Sequence, residues 1–233
     1  MTYAFDPEKG VLYEDNHLLV VVKPPNVPVQ ADSSGDDDLL SILKRYIGHK
    51  YQKPGAVYLG LVHRLDRPVG GVMVFARTSK AASRLSKQFA EHRQDKVYLA
   101  VLQGTLSDER TLEDYLRKNP ADGMVRVVDR NAPGAKLARL TTTPLCVRDG
   151  LTLTRVALYT GRAHQIRVQH AHAGYPLWGD ARYGGGRPGQ QIALWAWELG
   201  FEHPVRRELL RFTAPPPTTG AWAKFQDIIE GLT

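Results

Sequence analysis

The feature that most constrains this chain is the way its apolar residues are broken up. They come in short runs that stop on turn formers, as where Leu18 to Val22 meets Lys23-Pro24-Pro25. A run of that length, bounded that way, reads as a strand buried on both faces. Val11 to Val22 is expected to form two strands around a turn at Glu14-Asp15-Asn16, and Ala31 to Asp38 a polar, acidic, mobile loop. Helical spacing predicts a helix over Leu39 to Ile47 capped by Asp38. A second is expected over Ser79 to Arg93, capped by Ser79, with Ala82, Leu85, Phe89 and Ala90 facing inward. Gly71 to Ala76, Val97 to Gln103, Met124 to Val128, Ala138 to Thr143 and Leu151 to Tyr159 read as strands, and Thr111 to Leu116 as a short strand or turn. Gln165 to Ala173 is expected to be helical, Gly184 to Gly189 flexible, Ile192 to Phe201 a mixed apolar run, and Ala221 to Ile229 a last helix. Strands outnumber helices and do not alternate regularly with them. That predicts an α+β fold with a mixed, mostly antiparallel central sheet and flanking helices, rather than a doubly wound one. With no internal repeat and no linker, residues 1–233 are expected to form one domain.

Composition excludes several classes. No apolar run approaches the roughly 20 residues of a membrane span, and the first ten residues lack the apolar stretch of a secretory signal. The single cysteine, Cys146, rules out an internal disulfide and speaks against a cysteine-based zinc site; it reads as a small core hydrophobe. A reducing cytoplasm fits this usage. The net charge of +7 favours a polyanionic partner. Its distribution says more. Arg155 to Arg187 holds five arginines, three histidines, no lysine and one acid, Asp180. Arginine's planar fork suits phosphate oxygens.

Three segments could carry chemistry. His63-Arg64-Leu65-Asp66-Arg67-Pro68-Val69-Gly70-Gly71 is a charged run directly before an apolar strand, which places Asp66 in a tight loop at a strand entry. Neighbouring arginines favour its ionised form, as a nucleophile needs. A loop aspartate that merely caps backbone groups is the equally good structural reading of this segment taken alone. Thr160-Gly161-Arg162-Ala163-His164-Gln165-Ile166-Arg167 leads from a strand into a helix N-terminus, a natural anion site. His170 and His172 are two apart, so they lie on different sides of a helix, and no acidic or cysteine cluster joins them; a metal site is not expected. Lys96-Val97-Tyr98 sits in an apolar strand, where a tyrosine is ordinarily core. Trp178, Trp195 and Trp197 are ordinarily packing residues too.

Taken together and in order, these segments resemble the RluA family of RNA pseudouridine synthases. The resemblance runs through Lys23-Pro24, His63 to Gly71 with its following strand, Lys96-x-Tyr98, Thr160 to Arg167, Gly174 to Gly184 and Leu194 to Pro204, so it spans about Tyr13 to Phe212. It implies the pseudouridine synthase fold and an isomerase that needs neither cofactor nor metal. Asp66 would be the catalytic aspartate. Tyr98 would pack on the target uracil and take the proton from its carbon 5, Arg167 would pair with Asp66, and Arg64 would enter the RNA stack to extrude the nucleotide. His63, Arg162, His164, Gln165 and Leu194 fall in matched motifs and are expected to contact RNA or substrate. The implied partner is ribosomal or transfer RNA, handled by a monomer. This sequence has Val69-Gly70-Gly71 where many relatives have Thr-Ser-Gly, and Trp178 where an aliphatic residue is usual. The small N-terminal RNA-binding domain of many relatives is not expected. Two rival readings are a non-catalytic RNA-binding or RNA-folding protein on the same scaffold, and a metal-dependent nuclease using Asp66, His164 and Asp180. The first need not keep Asp66, Tyr98 and Arg167 together; the second lacks a carboxylate cluster.

Overall fold

A computed structural model describes residues 5–232. By its internal contacts the chain forms two compact units. One comprises the residues up to Asp95 together with Ala196–Ala214, and the other Lys96–Trp195 together with the residues from Pro215 onward.

The first unit begins with a helical turn, α1 (Pro7–Gly10), and the hairpin β1 (Val11–Glu14) and β2 (Leu18–Lys23). Helix α2 (Leu39–Lys50) follows, then β3 (Gly60–Leu61), β4 (Gly70–Ala76) and α3 (Ser79–Ala90). Asp38 caps α2 as expected, accepting from the Ser41 N–H. The cap of α3 is Thr78, not Ser79: its hydroxyl accepts the Ala81 N–H. β2 lies antiparallel between β1 and β4, with Val20 opposite Val74 and Lys23 opposite Gly71. All seven residues of β4 are buried, as their unbroken apolarity requires. One face of these strands packs Leu18, Val20, Val72 and Val74 against Ala81, Leu85 and Phe89 of α3. Ala90, expected inside, is exposed, and Gln88 takes a buried place instead. Its amide bonds both backbone groups of Glu202, closing a strand end that an apolar side chain would leave unpaired.

The second unit starts with β5 (Asp95–Gln103), which begins at the unit boundary, and continues through β6 (Arg110–Lys118), β7 (Val125–Val128), β8 (Lys136–Arg148), β9 (Leu151–Leu158) and α4 (Gln165–His172). Its strands pair in the spatial order β5-β9-β8-β6-β7, each pair antiparallel. The charged sequence of β6 hides a nine-residue strand, because β7 and β8 pair with it on both sides. Cys146 is half-buried rather than in the core. It follows Pro144 at a register shift in β8, where the alternation of inward and outward residues breaks. Helix α4 sets Val168 against Leu116, Val125 and Ala138.

Strand β10 (Leu194–Glu202) carries the chain back into the first unit, where it flanks β4 and pairs with β11 (Leu209–Thr213). A 3-10 turn (Gly220–Phe225) and a short helix α5 (Gln226–Glu230) replace the single closing helix that was expected. Among the described residues, no helix is long and apolar enough to cross a membrane.

Candidate active site

The expected site residues divide between the two units, and each group is built by its own local structure. In the first unit, Asp66 sits on a turn closed by the Val69 N–H, which donates to the Asp66 carbonyl at 2.9 Å. Behind the turn, Gly71 enters β4 with φ 123°, a conformation that favours glycine. A Cβ there would lie 2.2 Å from the Ala196 carbonyl oxygen. The last glycine of the Val69-Gly70-Gly71 run is therefore required by the close approach of β4 and β10.

The loop is held from two sides. Lys23 is fully buried, and its ammonium donates to the carbonyls of Pro24 (2.9 Å), Arg67 (3.0 Å) and Val69 (2.8 Å). Burial pushes Lys23 down to about 7, the Asp66 carboxylate pulls it up, and Arg67 pushes it down. Arg67 itself turns to the 26–36 loop. It donates to the Asn26 carbonyl at 3.1 Å, pairs with Asp36, and reaches Asp32 at 3.4 Å. The loop expected to be mobile is thus tied to the Asp66 turn. The sequence suggested Arg64 and Arg67 as the cations that favour the Asp66 carboxylate. Arg67 is engaged with acids of its own, Arg64 is exposed, and a cation the sequence did not single out, the buried Lys23, feels the Asp66 charge.

His63, expected to contact RNA or substrate, is also engaged within its own unit. Its Nε2 accepts the Val74 N–H at 3.0 Å, and its ring stacks on Phe89 at 4.8 Å. It pins the incoming strand to β4 and α3.

In the second unit, Arg167 is buried on α4 and makes a two-pronged bond to Asp180, Nε to Oδ2 at 2.8 Å and Nη2 to Oδ1 at 2.7 Å. Sequence reasoning expected Asp66 as its partner; within its own unit the carboxylate that holds its guanidinium is Asp180. The N–H groups of Arg182 and Tyr183 also donate to Asp180 Oδ1. Burial alone would raise this carboxyl, but the Arg167 bonds and the two N–H groups outweigh it and hold it below its ordinary value. The segment expected to be flexible closes around it: Gly184 and Gly186 N–H both donate to the Asp180 carbonyl. A Cβ on Gly186 would lie 2.7 Å from Gly179 backbone and one on Gly184 2.8 Å from the Leu177 carbonyl oxygen, so these two glycines are close-packed.

His164 opens α4 in a left-handed conformation, φ 52°. Its Nδ1 lies 2.7 Å from the Tyr183 hydroxyl, which already accepts the Val125 N–H at 3.0 Å. Burial holds the Tyr183 hydroxyl above its ordinary value, so it keeps its proton. The Tyr183 hydroxyl thus joins the start of α4 to the first residue of β7. The Arg167 guanidinium stands 5.1 Å from the Tyr183 ring.

Gln165, expected to touch substrate, is buried and shapes the preceding loop. Its Oε1 accepts from the Thr160 hydroxyl and the Arg162 N–H, and its Nε2 donates to the Arg139 carbonyl. Arg162 is half-buried, with Nε on the Leu137 carbonyl at 2.8 Å. Tyr98 is half-buried on β5 opposite Val156, and Leu194 is buried at the start of β10. Burial pushes Lys96 down to about 8. His170 is a neutral core histidine: burial holds it down at about 4 and its Nδ1 donates to the Ile166 carbonyl. Among the described residues, no group of three or more His, Cys, Asp or Glu side chains stands together as a metal ligand set. Sequence reasoning gave no site role to Lys23 or Tyr183, and used Asp180 only in the nuclease rival. A lysine closing an all-apolar strand was the one local signal for Lys23.

A family model described as RNA pseudouridylate synthase matches residues 17–172. Among curated relatives, an uncharacterized RNA pseudouridine synthase of Bacillus subtilis (strain 168), YjbO, is 36% identical over 214 residues, 89% of this chain and 72% of that protein. The ribosomal large subunit pseudouridine synthase D of Pseudomonas aeruginosa is 32% identical over 94% of this chain and 72% of its own length. Among solved structures, Human RNA Pseudouridylate Synthase Domain Containing 4 matches with a TM-score of 0.76 at 21% identity, covering 96% of this chain and 94% of that one. The mixed α+β architecture with a mostly antiparallel sheet is therefore that of the pseudouridylate synthases. By its sequence as well as its fold, the chain belongs to the RluA family of RNA pseudouridine synthases, which are isomerases acting on RNA.

Proposed function

We propose that this protein isomerises specific uridines of ribosomal RNA, with Asp66 as the catalytic carboxylate. The observation that carries the assignment is the placement of Asp66 on a turn clamped by a buried lysine ammonium, at the entry to a fully buried strand. A carboxylate so held is oriented before substrate arrives. The reaction breaks the bond between uracil N1 and the ribose, turns the base, and joins carbon 5 to the same ribose carbon. The carbon 5 proton is lost and N1 gains one, so atoms and electrons balance without a cofactor. Both routes to the product need a negative charge at Asp66, either for attack on the sugar or for proton removal from it to a glycal. Tyr98 packs on the uracil and takes the carbon 5 proton. Arg167 pairs with the Asp66 carboxylate while Asp180 fixes its orientation. Arg64, exposed on the same loop as Asp66, enters the stack when the nucleotide is extruded. Ribosomal RNA is favoured over transfer RNA by the relatives named for the large ribosomal subunit. The protein works as a monomer in the cytoplasm.

The test is Asp66→Asn, which keeps size and removes charge. Single-turnover release of tritium from uridine labelled at carbon 5 is expected to vanish while RNA binding and the melting transition persist. Substantial release by the variant would overturn the assignment. Mapping pseudouridines in total RNA with and without the protein identifies the target, and a site outside ribosomal RNA would refute that part.

A further inference from the structure

We propose that Arg67 is an anion site for an RNA phosphate beside the reacting nucleotide, and that Asp32 and Asp36 fill it until RNA displaces them. The proposal rests on the reading of Asp66 as catalytic, which puts the reacting nucleotide next to Arg67.

The guanidinium is fixed at its base. The Arg67 carbonyl accepts the Asn26 N–H at 2.8 Å, and Arg67 Nε donates to the Asn26 carbonyl at 3.1 Å. This anchor holds whichever anion the two Nη groups meet. The anions they meet here are Asp32 and Asp36.

Both acids stand on a projection from the first unit. The Leu39 N–H donates to the Pro28 carbonyl at 2.8 Å and the Leu40 N–H to the Val29 carbonyl at 3.1 Å, which closes the base of the projection. Val27, Val29, Asp38 and Leu39 are buried at that base. Between them, residues 30–37 are all exposed. The tip is shaped by its own turns. Asp32 Oδ1 accepts the Ser34 N–H at 2.9 Å, Ser34 Oγ accepts the Asp36 N–H at 3.2 Å, and Gly35 takes φ 74°. Among the described residues, the ion pairs of this tip are Asp32 and Asp36 with Arg67, and Asp37 with Arg45 of α2.

The hold on Arg67 is loose. Arg67, Asp32 and Asp36 are 38%, 40% and 41% exposed, and pairs so exposed are weak and screened by salt. The segment from Ala31 to Asp38 also carries four acids and no base in a chain of net charge +7. Acids beside the site of an RNA enzyme repel its substrate unless they move. A phosphate offers the guanidinium fork the same oxygens that a carboxylate does. The two aspartates therefore stand in for the phosphate, and RNA trades one weakly held anion for another while the tip swings clear.

The test uses the full chain and a labelled RNA hairpin with uridines in its loop. Asp36→Asn and Asp37→Asn change neighbouring exposed residues by the same charge, and Asp36 alone of the two touches Arg67. At about 50 mM salt, Asp36→Asn is expected to bind the hairpin about three- to tenfold more tightly than wild type, and Asp37→Asn within about twofold of it. Arg67→Gln is expected to bind about tenfold more weakly. In the Arg67→Gln background, Asp36→Asn is expected to change affinity by less than about twofold. The second readout is cleavage by an endoprotease that cuts before aspartate. It is expected to cut between Ala31 and Asp38 at least about twofold faster with the hairpin bound. If Arg67→Gln fails to fold, the two aspartate variants and the cleavage decide. Equal gains in Asp36→Asn and Asp37→Asn, a gain that survives Arg67→Gln, or slower cleavage with RNA bound would each overturn the proposal. Full turnover by Asp66→Asn would instead sink the catalytic reading and leave these binding differences standing.

Discussion

A buried charge in this protein is placed by several donors or acceptors at once. The Arg167–Asp180 pair is the strongest instance, with side-chain exposure of 8% and 0%. Asp180→Asn takes from the buried guanidinium the carboxylate that grips it in two places, which costs about 3–5 kcal/mol. The variant is expected to melt at lower denaturant and to lose turnover more than RNA affinity. Unchanged turnover in Asp180→Asn would remove Arg167 from the reaction. Tyr98 offers a finer test. Tyr98→Phe keeps the ring and loses the hydroxyl, so RNA affinity is expected to hold while tritium release falls by about 10²-fold or more. A wild-type rate would return Tyr98 to a packing role. Tyr183 and His164 belong to the same scale. The Tyr183 hydroxyl meets both the Val125 N–H and His164 Nδ1, a junction that no spacing of residues could announce.

At the level of elements, the first unit is clipped together at its turns. Asp15, in the β1–β2 turn, accepts the N–H groups of His17 and Leu18 and the side chains of Tyr13 and His203. His203, fully buried after β10, accepts two backbone N–H groups at Nδ1 and therefore donates from Nε2. Burial works against the Asp15 carboxylate, yet these donors bring it from 3.8 down to about 2. A depressed folded-state value means the contribution is complete above pH 4 and is lost as pH falls toward 2. The shift corresponds to about 2 kcal/mol for a side chain only 18% exposed. Asp15→Asn is expected to lose about that much stability at pH 7 and to flatten the acid limb, as urea melts across pH 2–6 would register. A wild-type acid limb in the variant would assign that limb to other carboxylates. This clip accounts for the His-Pro element of the late motif, which the sequence displays without a reason. Gly71 shows the same dependence on a distant neighbour: its need for glycine lies in Ala196, which is far off in the chain.

For the molecule as a whole, the net charge of +7 and the arginine-rich stretch from Arg155 to Arg187 predict steep loss of RNA affinity as salt rises. A titration over about 50–200 mM salt is expected to show a linear fall in the logarithm of affinity, and a flat response would discard phosphate contact as the source of binding. The α+β class, the principal strands and helices, the Asp66 loop and the family were legible in the sequence alone, for a physical reason. Apolar periodicity, turn formers and helix caps act over a few residues, and a catalytic motif must keep its side chains whatever surrounds them. What lay beyond reach was decided by partners distant in the chain. β6 is a strand because β7 and β8 bond it on both sides, although its own residues are largely charged. His63 and Gln165, expected as substrate contacts, also serve backbone groups at Val74 and Arg139, which the sequence did not show. The segments thought mobile at 31–38 and 184–189 are held by Arg67 and by the Asp180 backbone. Lys23 gains its role only when strand register sets it beside the carbonyls of Arg67 and Val69. Sequence by itself determined which groups are present and the local form of the chain around them. The tertiary structure alone decided which group meets which, because a hydrogen bond is won or lost over tenths of an ångström that only packing sets.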